Sequence, residues 1–173
     1  GPEVVNAALE SDQLPPSADW EILGSNKGIE PGKPSEASAR IALDALDQAA
    51  AGLLDGRYDA VVTGPVSKDD LQSLGFDFPG QTEFFAKAFD VKDYGMLLTG
   101  EQLSVGLATI HQPLKQVVAN LNVEQITRIG KLTAEFLIRR QVSHPRIAVA
   151  GLNPHAGENG RFGDEEQRII APA

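Results

Sequence analysis

The chain contains 173 residues, 42% of them hydrophobic, which fits one folded domain or a large piece of one and excludes a disordered tail. Its net charge of -9 disfavours nucleic acid as a partner, and no apolar run approaches the roughly 18 residues that cross a bilayer. The sequence therefore predicts a cytoplasmic protein with no membrane partner. There is no cysteine, so any metal ion must be held by histidine, carboxylate or water.

Helices dominate the first half of the chain. Residues 2–10 carry apolar side chains on one helical face, and residues 20–24 form a candidate short strand. Over 35–54, apolar residues recur at helical spacing after a serine that is suited to cap a helix. The β-branched run 58–63 is typical of a buried parallel strand, and a short helix is expected over 67–74.

Strands and helices alternate in the second half of the chain. The predicted elements are a helix at 82–89, strands at 94–99 and 103–108, helices at 113–119 and 123–140, a strand at 146–151 and a helix at 164–170. Helices that alternate with short apolar strands predict an α/β fold, with a mostly parallel sheet flanked by helices.

Three segments leave a predicted strand and immediately become polar or glycine-rich, namely 63–68, 109–114 and 151–158. Ligands of α/β sheets gather beyond the carboxyl ends of the strands. Two of the segments contain a histidine at the strand exit, His111 and His155, and this arrangement suits two ligands of one divalent metal ion. A hydrogen bond within each loop accounts for either histidine equally well.

Further candidates lie at two predicted helix starts. Lys68 follows a Gly-Pro loop into a helix, where a cation beside the helix N-terminal amides can bind phosphate, although a solvated lysine also fits there. Gln81 and Thr82 begin another helix and can hydrogen-bond a substrate, while helix capping explains Thr82 equally well. Three carboxylates near the end of the chain are expected at the surface: Glu158, Glu165 and Glu166.

Six segments together resemble the 4-hydroxythreonine-4-phosphate dehydrogenases over nearly the whole chain. In order they are GPEVV, GKPSEAS, VVTGPVSK, FPGQTEFFA, LATIHQPL and GLNPHAGENGRFGDEE. The GxTEFF and LNPHAGE segments are the most specific. The resemblance implies a homodimer with a fold like that of isocitrate and isopropylmalate dehydrogenases.

The resemblance also implies an activity. Enzymes of this kind oxidise 4-hydroxythreonine 4-phosphate with NAD, or NADP, and a divalent metal ion, which is expected to be zinc, with magnesium or cobalt as alternatives. The 3-oxo acid that forms then decarboxylates to 3-amino-2-oxopropyl phosphate in vitamin B6 biosynthesis. The family binds its metal through three histidines; two match His111 and His155, and the third is expected beyond Ala173. Catalytic and cofactor-binding residues remain unassigned.

One position departs from the family pattern. Gln81 stands where the family commonly has histidine, and glutamine can hydrogen-bond but cannot titrate. This favours a substrate-positioning role and keeps a related four-carbon sugar-acid phosphate, of the threonate or erythronate type, as an alternative substrate. A phosphate acyltransferase of related fold is a further alternative. The chain is expected to hold only the N-terminal and central part of the family's length, so a noncatalytic fragment is another.

Overall fold

The computed structural model describes residues 29, 30 and 32–173, and the chain divides into two compact units, Gly1–Phe89 and Asp90–Ala173. The predicted helix at 2–10 and the predicted strand at 20–24 lie outside the described residues. No helix in the described part of the chain is long and apolar enough to cross a membrane.

The first unit is built on a long helix, α1, which spans Glu36–Leu54. Ser35 caps it: the Ser35 hydroxyl accepts a hydrogen bond from the Ser38 amide at 3.2 Å, and the Ser38 hydroxyl accepts one from the Ser35 amide at 3.0 Å. This reciprocal pair satisfies amides that the first turn of a helix leaves unpaired. The predicted helix over 35–54 is confirmed, together with its capping serine.

Two short helices complete the described part of this unit. They are α2, Lys68–Ser73, and α3, Gln81–Ala88, and both were predicted. Leu71 of α2 is 1% exposed, which makes it the most deeply buried large side chain in the described residues. The residues buried in this core come from all three helices and the connection between α2 and α3: Ala39, Leu46, Ala50, Leu71, Phe76 and Phe84.

The two strands predicted to be parallel are not formed. Residues 58–63 have no strand pairing, and Val62 is 98% exposed. Residues 146–151 likewise have no strand pairing, and Val149 is 57% exposed. A β-branched run becomes a strand only when neighbouring strands accept its backbone hydrogen bonds, and the described residues supply none to either segment. Both strand predictions are therefore wrong for the structure described.

The second unit contains an antiparallel hairpin. Strands β1, Met96–Thr99, and β2, Ser104–Leu107, pair with Leu98 opposite Val105. These two predicted strands are confirmed. They form the only sheet in residues 29, 30 and 32–173, so the prediction of a mostly parallel sheet is wrong for this part of the chain. The fold described is α/β and rich in helix.

A long helix packs against the hairpin. Helix α4 spans Leu114–Asn120 and α5 spans Val123–Arg139, both as predicted. The contact is close at Gly106 of β2, where an added Cβ would lie 2.5 Å from the Thr133 hydroxyl of α5. A larger residue at this position of the hairpin would therefore force the Thr133 side chain or α5 itself to shift.

The end of the chain returns to α5. A tight 3-10 turn, Pro154–Gly157, is followed by a π-helical turn, Glu166–Ile170, where a helix was predicted from residue 164. Ile169 of the π-helical turn is buried with Leu121 and Ile126. This small core anchors the π-helical turn against α5.

Candidate functional site

Gln81 links two candidate segments of the first unit. It is the first residue of α3, and its Nε2 donates a hydrogen bond to the Gly64 carbonyl at 3.0 Å. This bond ties the polar segment 63–68 to the start of α3. The other polar atom, Gln81 Oε1, is buried and accepts no hydrogen bond within the described residues. A buried acceptor without a partner has a free-energy cost, which a bound donor can relieve.

The other two substrate candidates lie at helix starts. Thr82 is the second residue of α3 and half-buried, and Gly80 rather than Thr82 occupies the cap position. The alternative interpretation of Thr82 as the helix cap is therefore wrong. Lys68 is the first residue of α2, and its side chain is exposed. A cavity of about 340 Å³ opens nearby, between α1 and Pro65 to Leu71.

The two candidate metal ligands share an unusual backbone conformation. His111 and His155 both belong to the second unit, both are exposed, and each has a φ of 52°. A positive φ is uncommon outside glycine, because the side chain crowds the backbone. His111 follows β2 as predicted, whereas the strand expected before His155 is not formed.

The turn that carries His155 is fastened by Glu166. Glu166 Oε1 accepts hydrogen bonds from the Leu152 amide at 2.8 Å and the Asn153 amide at 2.6 Å. The Asn153 side-chain nitrogen donates to Glu166 Oε2 at 3.0 Å and to Glu165 Oε2 at 2.8 Å. Of the three carboxylates expected at the surface, Glu158 is exposed, whereas Glu165 and Glu166 are half-buried and accept hydrogen bonds that the sequence did not predict.

Hydrogen bonding also favours the ionised form of the Glu166 carboxylate. The Asn153 side chain donates to this carboxylate and lowers the pKa of Glu166 below the ordinary value, and the Asn153 backbone amide acts in the same direction. The carboxylate is therefore held in its ionised form, in which both oxygens accept hydrogen bonds.

Glycines let this loop close on itself. Gly157 has a φ of +79°, and an added Cβ there would lie 2.6 Å from the Gly163 carbonyl oxygen. At Gly163, with a φ of +134°, a Cβ would lie 2.7 Å from the Asn153 side-chain nitrogen. A larger residue is excluded at both positions, because the positive φ disfavours any side chain and because neighbouring atoms leave no room for one.

The described residues hold only part of a candidate metal-binding site. Two exposed imidazoles suit zinc chemically, but within residues 29, 30 and 32–173 no group of three or more histidine, aspartate or glutamate side chains is placed to hold a metal ion. The His155 ring lies 6.2 Å from the Phe162 ring, measured between centroids. The described residues thus offer candidate ligands and not a complete metal site.

Comparison with known proteins identifies the family. The family described as pyridoxal phosphate biosynthetic protein PdxA matches residues 4–173. The chain belongs to this family, as its sequence motifs predicted.

Similar proteins are 4-hydroxythreonine-4-phosphate dehydrogenases and a related enzyme. The 4-hydroxythreonine-4-phosphate dehydrogenase of Zymomonas mobilis subsp. mobilis is 44% identical over 157 residues, covering 89% of this chain and 47% of the relative. The D-threonate 4-phosphate dehydrogenase of Pectobacterium atrosepticum is 37% identical over 153 residues, covering 88% of this chain and 47% of the relative. The chain spans about half the length of the curated relatives it matches.

Solved structures agree with the sequence comparison. The crystal structure of 4-hydroxythreonine-4-phosphate dehydrogenase from Klebsiella pneumoniae superposes with a TM-score of 0.74 at 41% identity, covering 88% of this chain and 46% of that chain. The structure of a putative 4-hydroxythreonine-4-phosphate dehydrogenase from Salmonella typhimurium gives a TM-score of 0.74 at 36% identity, covering 88% of this chain and 47% of that chain.

Proposed function

We propose that the full-length protein is a dehydrogenase of 4-hydroxythreonine 4-phosphate in pyridoxal phosphate biosynthesis. The observation that carries this proposal is the family match over residues 4–173, supported by relatives of that name at about 40% identity. The 3-oxo acid product loses carbon dioxide to give 3-amino-2-oxopropyl phosphate. The active form is a cytoplasmic homodimer.

Three residues of the first unit bind the substrate in this proposal. Gln81 Oε1 accepts a hydrogen bond from a substrate hydroxyl or ammonium group, because its own Nε2 is already engaged by the Gly64 carbonyl. Thr82 contributes its hydroxyl from the next position of α3. Lys68 is exposed at the start of α2, where its ammonium group can pair with the phosphate of the substrate.

His111 and His155 serve as metal ligands, with a third ligand from outside the described residues. Imidazole suits zinc, and magnesium or cobalt are alternatives. A divalent ion bound there would lower the pKa of the substrate hydroxyl, and NAD or NADP would accept the hydride. The left-handed backbone at both histidines fixes the direction in which each imidazole leaves the chain.

A second substrate has specific support. The relative from Pectobacterium atrosepticum is named as a D-threonate 4-phosphate dehydrogenase and is 37% identical to this chain. Gln81 also departs from the histidine typical of 4-hydroxythreonine-4-phosphate dehydrogenases. D-threonate 4-phosphate carries a hydroxyl where 4-hydroxythreonine 4-phosphate carries an amino group. Gln81 is the residue at which to test discrimination between the two.

Genetic complementation tests the proposed role in the cell. The full-length gene is expressed in a bacterium that lacks its own 4-hydroxythreonine-4-phosphate dehydrogenase and needs added pyridoxine. Growth without pyridoxine is expected from the wild-type gene and not from a His111→Ala, His155→Ala double variant produced at the same level. Failure of the well-expressed wild-type gene to restore growth would favour the threonate-type substrate.

A further inference from the structure

Glu166 reaches across to the turn that carries His155. Its two oxygens accept hydrogen bonds from two consecutive backbone amides, those of Leu152 and Asn153, and from the Asn153 side chain, at 2.6 to 3.0 Å. The two amides lie immediately before the Pro154–Gly157 turn. The three hydrogen bonds therefore fix both the path and the orientation of the chain as it enters this turn.

The turn itself needs such support. His155 and Ala156 have φ values of 52° and 50°, a left-handed conformation that costs free energy at residues other than glycine. A strained conformation persists only where its surroundings hold it. On the far side of the turn, Glu166 Oε2 lies only 3.0 Å from where a Cβ on Gly157 would sit. Glu166 thus contacts the turn at both ends, through hydrogen bonds at Leu152 and Asn153 and through close packing at Gly157.

The Glu166 carboxylate belongs to a helical turn that packs into the core of the second unit. Glu166 begins the π-helical turn Glu166–Ile170, whose Ile169 is buried against Leu121 and Ile126. Packing in the second unit therefore fixes the position of Glu166, and the hydrogen bonds of Glu166 hold the exposed turn in a fixed position relative to that core.

We propose that Glu166 is a positioning residue that holds the His155 imidazole in place for metal binding. The proposal rests on the proposed function, in which His155 is a ligand, and goes beyond it by assigning a role to a residue that contacts neither metal nor substrate. Replacing groups that support metal ligands in this way typically lowers metal affinity by about tenfold to a hundredfold.

The informative variant is Glu166→Gln. Glutamine keeps the shape of the side chain and one oxygen that accepts hydrogen bonds. Its amide nitrogen is a donor, however, and it would face the Asn153 side-chain nitrogen, which is also a donor. At least one of the three hydrogen bonds is therefore lost while the packing is kept. The matched control is Asp164→Asn, which removes one negative charge from an exposed neighbour that pairs with Arg168 at 3.4 Å.

Cobalt binding to the full-length protein is the first readout. Co²⁺ alone is titrated into the wild type and both variants well below their melting temperatures, and Kd and the visible spectrum of the bound ion are recorded. Glu166→Gln is expected to weaken binding by about tenfold and to change the spectrum, and Asp164→Asn to leave both near wild type. Unchanged affinity and spectrum in Glu166→Gln would overturn the proposal, whatever happens to its melting temperature.

Hydrogen exchange of the metal-free protein is the second readout. The Leu152 and Asn153 amides both donate to one oxygen of Glu166, and the neutral oxygen of a glutamine is a weaker acceptor than a carboxylate. These two amides should therefore exchange faster in Glu166→Gln than in the wild type or Asp164→Asn, and equal exchange would also overturn the positioning role. Wild-type protein that binds no Co²⁺ would instead refute the proposed ligand role of His155. The two failures are thus distinguishable.

Discussion

The candidate ligands are single residues whose role depends on backbone geometry as much as on side-chain chemistry. His111 and His155 both adopt a φ of 52°, so each imidazole leaves a sharply turned backbone. Sequence motifs identify the two residues, but their left-handed conformation follows from the turns around them. Residues in such strained conformations concentrate at functional sites.

Metal binding should require both histidines. Because imidazoles are the proposed ligands, His111→Ala or His155→Ala in the full-length protein is expected to lower bound metal well below wild-type stoichiometry after dialysis. Metal analysis by mass spectrometry measures this, with His144→Ala, a third exposed histidine, as the control. Wild-type stoichiometry in both variants would remove the ligand assignment.

Gln81 should position the substrate without titrating. Gln81→Ala removes one hydrogen-bond acceptor, so kcat/KM is expected to fall by about three- to tenfold while the shape of the pH–rate profile is kept. Gln72→Ala, an exposed glutamine of α2, provides the matched control. Loss of one limb of the pH profile in Gln81→Ala would show that this position sets a protonation state, against the assignment.

Glu166 should make the stability of the second unit depend on pH in acid. Hydrogen bonds from Asn153 lower its pKa in the folded state, so its contribution is full above the unfolded value of about 4.3 and is lost as pH falls toward the folded value. The difference in melting temperature between the wild type and Glu166→Gln should therefore shrink below about pH 4. A difference that stays constant from about pH 7 to about pH 3 would contradict this.

At the scale of elements, helix α1 is an element whose bounds and cap depend on residues that are close together in the sequence. Its hydrogen bonds are internal, and the Ser35 cap is made by a residue three positions away. Ser35→Ala should lower the free energy of unfolding by about 1 kcal/mol. Ser67→Ala is the matched control, since Ser67 stands at the cap position of α2 and makes no capping side-chain bond within the described residues. Chemical denaturation compares the two, and equal destabilisation would argue against the capping role.

The elements that the sequence predicted correctly are those whose backbone hydrogen-bonding partners lie close together in the sequence. The helices and the hairpin, whose partners lie near in sequence, were predicted within one or two residues at most ends. The strands at 58–63 and 146–151 depended on distant neighbours that the described residues do not supply, so their apolar pattern was misleading. Glu166 was missed for the same reason, because the amide it binds at Asn153 lies 13 residues earlier in the chain.

At the scale of the whole molecule, the chain spans about half the length of its curated relatives and divides into two units. The substrate candidates Lys68, Gln81 and Thr82 belong to the first unit, and the ligand candidates His111 and His155 belong to the second. Family membership is established by the match over residues 4–173, and the proposed reaction is tested on the full-length protein.

The most direct test is NADH formation by the purified full-length protein with added divalent metal. We expect turnover of 4-hydroxythreonine 4-phosphate that is abolished by a chelator. The His111→Ala, His155→Ala double variant should lose at least about a hundredfold in turnover rate, since the proposed metal would activate the reacting hydroxyl. D-threonate 4-phosphate is assayed in parallel as the competing substrate. Absence of turnover with 4-hydroxythreonine 4-phosphate by folded, metal-loaded protein, with either NAD or NADP as the oxidant, would contradict the proposed function.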